Sequence, residues 1–239
     1  MNSKLVLVPT PIGNLEDITL RALNVLKEAD IIFAEDTRVS KKLLTHYSID
    51  KPLMPYHQHN EHQMLQHYIG KIQSHSLTAL LTDAGTPGIS DPGFLIVREC
   101  LKNNIEVECL PGATAFVPAL VASGLPCDRF YFYGFLPRKK GRMSALQKLQ
   151  AMDDTFVLYE SPFRLLKTLE QLLETMGNRQ ICVGREITKI YEEYFRGTMS
   201  EAISYFGTKT VKGEIVIVVS GNATNNNIEM DNEAEDEDE

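Results

Sequence analysis

Glu35, Asp36, Thr37 and Arg38 place two carboxylates, a hydroxyl and a guanidinium in four consecutive positions. They follow the apolar run 31–34, and strand ends are where α/β proteins hold reactive groups. The plain alternative makes Asp36 or Thr37 the N-cap of the next helix and Arg38 a surface ion pair. A cap does not need all four residues. A second stretch, LLTDAGTPGISDPG at 80–93, continues the apolar run 77–81 into the carboxylate of Asp83 and then packs three glycines and two prolines into nine residues. Glycine lets backbone approach a ligand closely, and proline stiffens the turns between approaches. This stretch therefore reads as a ligand loop, with Asp83 and Gly85 as binding candidates and Asp91–Pro92 capping the helix that follows.

Three loops, 9–14, 83–90 and 111–115, follow strands and turn backbone amides towards one edge, as a cleft for a small, partly apolar ligand requires. None matches GxGxxG or GxxxxGK[ST], so neither dinucleotide nor P-loop phosphate binding is indicated. His57, His59 and His62 lie within six residues but lack a cysteine partner or an HExxH frame, so no metal is expected. They read as the polar start of a helix capped by Asn60, with imidazoles placed to contact phosphate or a base edge. Arg138, Lys139, Lys140 and Arg142 follow the aromatic run 130–135. A solvated loop is the plain reading of such a run; phosphate contacts beside stacking rings are the functional one. For Glu160, Arg164, Arg185, Glu186 and Glu193, structural ion pairing is the default.

The elements that position these groups alternate. Strands at 5–8, 31–34, 77–81 and 106–110 and a poor one at 53–56 are separated by helices at 17–27, 37–47, 60–74, from 94, and 114–122. Such alternation predicts a parallel sheet wrapped by helices. A seam at 123–141, with an aromatic strand and the basic connector, separates an N-terminal domain (1–122) from a C-terminal α/β domain (142–222). The net charge of −8 is carried entirely by the eight acids of 229–239, within a tail (223–239) expected to be disordered, so residues 1–228 are formally neutral. Nucleic-acid binding then requires a local basic patch. The four cysteines are scattered with no CxxC, and no apolar run approaches membrane-spanning length or a signal peptide. A cytoplasmic protein is expected.

Several of these stretches together resemble a known family. VPTPIGNLEDITLRAL, AEDTR, YHQHNE, DAGTPGISDPG, LPGATA, FYGFLPRKKGR, YESPFR and GREITKIYEE are similar to the 16S rRNA cytidine 2′-O-methyltransferases of the tetrapyrrole-methylase superfamily, over about 5–219. The resemblance implies a tetrapyrrole-methylase-like α/β fold of two domains with the cofactor cleft between them. It also implies S-adenosylmethionine as cofactor, a homodimer, 16S rRNA in the small ribosomal subunit as substrate, and no membrane partner. Cofactor positions implied by it are Pro11, Gly13, Asp83, Gly85, Thr86, Ile89, Thr114 and Ala115, with looser matches at Leu158, Tyr159, Gly213 and Glu214. Substrate RNA falls to Thr37, His57, His59, Asn60, Arg138, Lys139, Lys140 and Arg142. Many members continue into a helical C-terminal domain where this sequence has its acidic tail.

For such a reaction, Asp36 or Glu35 is expected to act as base or orienter, and Arg38 on a phosphate or the developing oxyanion. Two other functions are compatible with the pattern: a methylase of the same fold acting on a tetrapyrrole or other small molecule, and a non-catalytic RNA-binding assembly module.

Overall fold

Two β-sheets organise the computed structural model, which describes residues 3–56 and 61–222. Contacts divide the chain into units Met1–Thr114 and Ala115–Glu239.

In the first unit, β1 (Lys4–Leu7), β2 (Ile31–Ala34), β3 (Leu53–Pro55), β4 (Leu77–Leu81) and β5 (Glu106–Cys109) pair in the order β3-β2-β4-β1-β5. Every pairing is parallel. Helices α1 (Leu20–Glu28), α2 (Thr37–His46), α3 (Glu61–Gln73) and α4 (Phe94–Lys102) complete it. Alternate strand residues feed two cores, as a sheet covered on both faces requires. Leu5, Leu7, Phe33 and Leu80 pack with Tyr56, Tyr68, Ile72 and Ile96. Val6, Val8, Ile32, Ala79 and Leu81 pack with Leu26 and Leu44. Because all five strands are parallel, their C-terminal ends share one edge, and the loops after β1, β2, β4 and β5 emerge there.

Helix α4 differs from expectation at its start. Its N-cap is Gly93, not Asp91. The loop folds back so that Gly88 N donates to Pro92 O at 3.1 Å. Gly93 has φ 146°, and a Cβ there would lie 3.1 Å from Gly88 N, so the turn favours glycine.

The second unit holds α5 (Phe116–Val121), β6 (Phe130–Phe135), α6 (Arg142–Gln150), β7 (Thr155–Glu160), α7 (Leu165–Met176), β8 (Gln180–Arg185), β9 (Glu193–Thr198), α8 (Met199–Gly207) and β10 (Ile215–Val219). Its sheet runs β6-β7-β10-β8-β9. Only β6 and β7 are parallel; the other neighbours are antiparallel. The division between units falls earlier than the expected seam at 123–141, because α5 packs on β7, β8 and β10 of the second sheet. Helix α6 lies just past the expected seam, in a stretch for which the sequence announces no element. Its core face is only Ala145, Leu146 and Leu149, set in polar sequence, so little periodicity announces it.

Candidate active site

Asp36 caps α2, its Oδ1 accepting from Arg38 N at 2.8 Å. The same carboxylate holds the Arg38 guanidinium, with Nε at 3.0 Å from Oδ1 and Nη2 at 2.6 Å from Oδ2. Both plain roles, cap and ion pair, are therefore filled. Two further bonds tie this turn to the loop after the neighbouring strand β4. The Asp36 amide donates to Asp83 Oδ1 at 3.0 Å, and the Asp83 amide donates to Glu35 Oε2 at 3.4 Å. The ends of β2 and β4 thus gather Glu35, Asp36, Arg38 and Asp83 within one hydrogen-bonded group.

The electrostatics bear on Asp36, one of the two acids expected to share one role. The Arg38 side-chain bonds, and then its backbone amide, hold the Asp36 carboxyl far below the usual carboxylate range. The same bond, then the charges of Asp36 and Asp83, raise Arg38. A carboxylate stabilised in this way is a weak proton acceptor near neutrality. Its geometry suits orienting Arg38.

Three loops meet beside this cluster. Thr10 and Gly85 exchange backbone hydrogen bonds of 2.9 and 3.0 Å, and Thr10 Oγ1 donates to Thr82 O. Thr86 Oγ1 lies 2.9 Å from Ala113 O and 2.7 Å from Thr114 Oγ1. Gly112 presses on Pro9 so closely that a Cβ would stand 2.4 Å from Pro9 Cβ. Pro11 is buried, Gly13 exposed, and Ile89 half-buried, its amide closing a turn onto Thr86 O. Ala115 is half-buried at the start of α5.

The remaining expected residues, apart from Thr37, His57, His59 and Asn60, belong to the second unit. In the second unit Leu158 is fully buried in the core, and Tyr159 packs against Phe132 and Phe135 with ring centroids 5.1 and 5.6 Å apart. Gly213 has φ 89°, and a Cβ there would lie 2.3 Å from Glu186 Cδ. Glu186 accepts the Glu214 amide at 2.9 Å, and both acids hold Lys189. A structural requirement accounts for that glycine. Glu160 is buried and paired with Arg164 at 2.7 Å, the structural role expected of it. Arg138, Lys139 and Lys140 are exposed. Arg142, expected to face RNA, is instead 7% exposed, its guanidinium bonded to Gln171, Pro137 O and Thr168. It is drawn inward because Thr168 in turn donates to the buried Glu160 at 2.7 Å.

Thr37 is half-buried beside Arg38. His57, His59 and Asn60 lie outside the described residues. Two lysines unremarked in the sequence, Lys41 and Lys51, line a groove that begins at Thr37 and Arg38. The three-residue spacing of Arg38 and Lys41 on one helix was the available signal. Among the described residues, no group of His, Cys, Asp or Glu is arranged to hold a metal ion, and no helix is long and apolar enough to cross a membrane.

Comparison with known proteins bears on this geometry. The sequence profile described as Tetrapyrrole (Corrin/Porphyrin) Methylases matches residues 4–203. A Halalkalibacterium halodurans protein named ribosomal RNA small subunit methyltransferase I is 50% identical over 91% of this chain and 76% of its own length. The Thermotoga maritima protein of that name is 46% identical over 91% of this chain and 98% of its own. Among solved structures, uroporphyrin-III C-methyl transferase from Thermus thermophilus, complexed with S-adenyl homocysteine, superposes with a TM-score of 0.63 at 18% identity, covering 93% of this chain and 99% of that one.

Proposed function

Because the chain belongs to the tetrapyrrole methylase family, and within it to the ribosomal RNA small subunit methyltransferase I proteins, we propose that it methylates the 2′-oxygen of a cytidine ribose in 16S rRNA, with S-adenosylmethionine as donor. The observation that carries this reading is the pair of bonds through which Asp83, in the ligand loop, is tied to the Glu35–Arg38 turn. It brings acid, guanidinium and backbone-lined loops together at one sheet edge.

The donor set suits this cofactor. Three carboxylates against one arginine favour a ligand carrying positive charge, and Thr86, Thr114 and the loop carbonyls offer partners to hydroxyl and amino groups. Pro11, Gly13, Asp83, Gly85, Thr86, Ile89 and Thr114 would hold it. When bound, S-adenosylmethionine supplies a methyl group made electrophilic by its sulfonium. Glu35 takes the proton leaving the ribose 2′-oxygen, since Asp36 is too weak a base. Arg38, oriented by Asp36, steadies the neighbouring phosphate or the charge growing on that oxygen. Holding the reacting oxygen in near-attack geometry can supply roughly 7–11 kcal/mol in favourable cases. Arg138, Lys139 and Lys140 are assigned to RNA phosphates.

The exposed apolar side chains of α5 and the edge strand β6 (Val117, Val121, Phe130, Tyr131 and Phe135) support a homodimer, and the rRNA substrate supports action in the cytoplasm.

The test incubates the purified chain with methyl-labelled S-adenosylmethionine and either small ribosomal subunits or uroporphyrinogen. Label in alkali-stable dinucleotides of the RNA is expected. Label on the porphyrinoid alone points to the small-molecule methylase. Absence of cofactor binding by calorimetry points to a non-catalytic module.

A further inference from the structure

An open groove of about 570 Å³ begins at Thr37 and Arg38. One wall is the first turns of α2, with Thr37, Arg38 and Lys41; the other is Lys51 and the stretch 52–55 along the edge strand β3. Arg38 and Lys41 are three residues apart on α2 and so share a face. The lining contains three cations, two prolines and a leucine, and no acidic side chain. The nearest acid to Lys41, Asp50, stands 3.8 Å away with its side chain 99% exposed, so it neutralises that lysine weakly.

The composition of the lining selects the ligand. Lysine ammonium groups bind phosphate as point charges and carry no base code. Pro52, Leu53 and Pro55 provide apolar surface of the kind that a ribose or base face packs against. An enclosed pocket would suit a small anion, whereas an open groove that includes Arg38 suits a chain that passes through. We propose that this groove is the track for the sugar–phosphate backbone flanking the nucleotide to be methylated, with Lys41 and Lys51 each on a phosphate. The assignment rests on the RNA methyltransferase reading above and adds a subsite to it.

The test measures methylation of unmodified small subunits at varied RNA and salt for the full-length wild type, for Lys41→Ala/Lys51→Ala, and for Lys27→Ala/Lys71→Ala. The last pair removes the same charge from exposed lysines of α1 and α3. The groove variant should raise the RNA KM about tenfold or more, leave kcat at saturating RNA and cofactor Kd within about twofold, and reduce the log–log salt slope by roughly 1.4 for two single-strand phosphate contacts. Lys41→Arg/Lys51→Arg should restore most of the loss, which excludes misfolding as its cause. A groove variant matching the control pair in KM and salt slope, with the wild type active on RNA, overturns the subsite alone. A wild type that methylates no RNA overturns the parent reading and the subsite with it.

Discussion

The Asp83 carboxylate accepts the amide of Asp36 at 3.0 Å, across a sequence separation of 47 residues. Their strands, β2 and β4, are parallel neighbours, so both turns leave the sheet at the same edge. The bond makes the position of the acid–arginine turn depend on the ligand loop. Loss of order in one reaches the other through this bond, which joins the backbone of the turn to the Asp83 side chain.

Gly112→Ala tests the packing of the loops. The new Cβ would lie 2.4 Å from Pro9 Cβ and 2.8 Å from its Cγ, so the loops after β1 and β5 must part. Overpacking of this kind costs about 1–3 kcal/mol. Calorimetry should show S-adenosylmethionine affinity lowered about tenfold or more while circular dichroism stays native.

Asp36→Asn distinguishes an orienting carboxylate from a base. Arg38 lowers the Asp36 carboxyl, so the group is ionised throughout the range of assay and loses its charge only in strong acid. The variant should reduce the methyl-transfer rate by about tenfold to a hundredfold without moving the acid limb of its pH profile. An acid limb that vanishes with Asp36 would make it the base.

Arg142→Ala should act on stability. Its guanidinium bonds Gln171, Pro137 O and Thr168 inside the second unit, and Thr168 passes the contact to buried Glu160. Removing it costs about 2–4 kcal/mol in urea unfolding, by comparison with other broken buried networks. Replacing exposed Arg138, Lys139 and Lys140 by alanine should change stability by about 0.5 kcal/mol or less and raise the RNA KM.

Glu193 supplies a pH-dependent part of the second unit's stability. Bonds from Lys209, then Tyr205 and Arg185, lower its carboxyl to about 2. The folded value lies below the unfolded one of about 4.3, so the contribution is complete above about pH 5 and is lost as pH falls towards 2. With the side chain 22% exposed, Glu193→Gln should cost about 1–3 kcal/mol at pH 7 after allowance for screening, and about half that at pH 3. Urea midpoints at the two pH values decide it.

Two strands could be read from sequence to the residue: 31–34 and 77–81 are short, mostly apolar runs between polar residues. The parallel first sheet followed from alternation with helices. Helix α6 did not, because its apolar residues are few and one of them, Met143, faces out, and Asp91 imitated a cap that the fold-back of the loop onto Gly88 moves to Gly93. The acid–arginine turn was legible because its chemistry is local to four residues. Its bonds to Asp83 and the facing of Lys41 with Lys51 were not, since only the folded sheet brings those segments together.

Single-turnover methyl transfer to unmodified small subunits by Glu35→Gln, alongside calorimetric S-adenosylmethionine binding, decides whether Glu35 is the base. Cofactor affinity should stay within about threefold of wild type and transfer should slow about 10²- to 10⁴-fold, the usual contribution of a general base. Transfer at the wild-type rate would contradict that role.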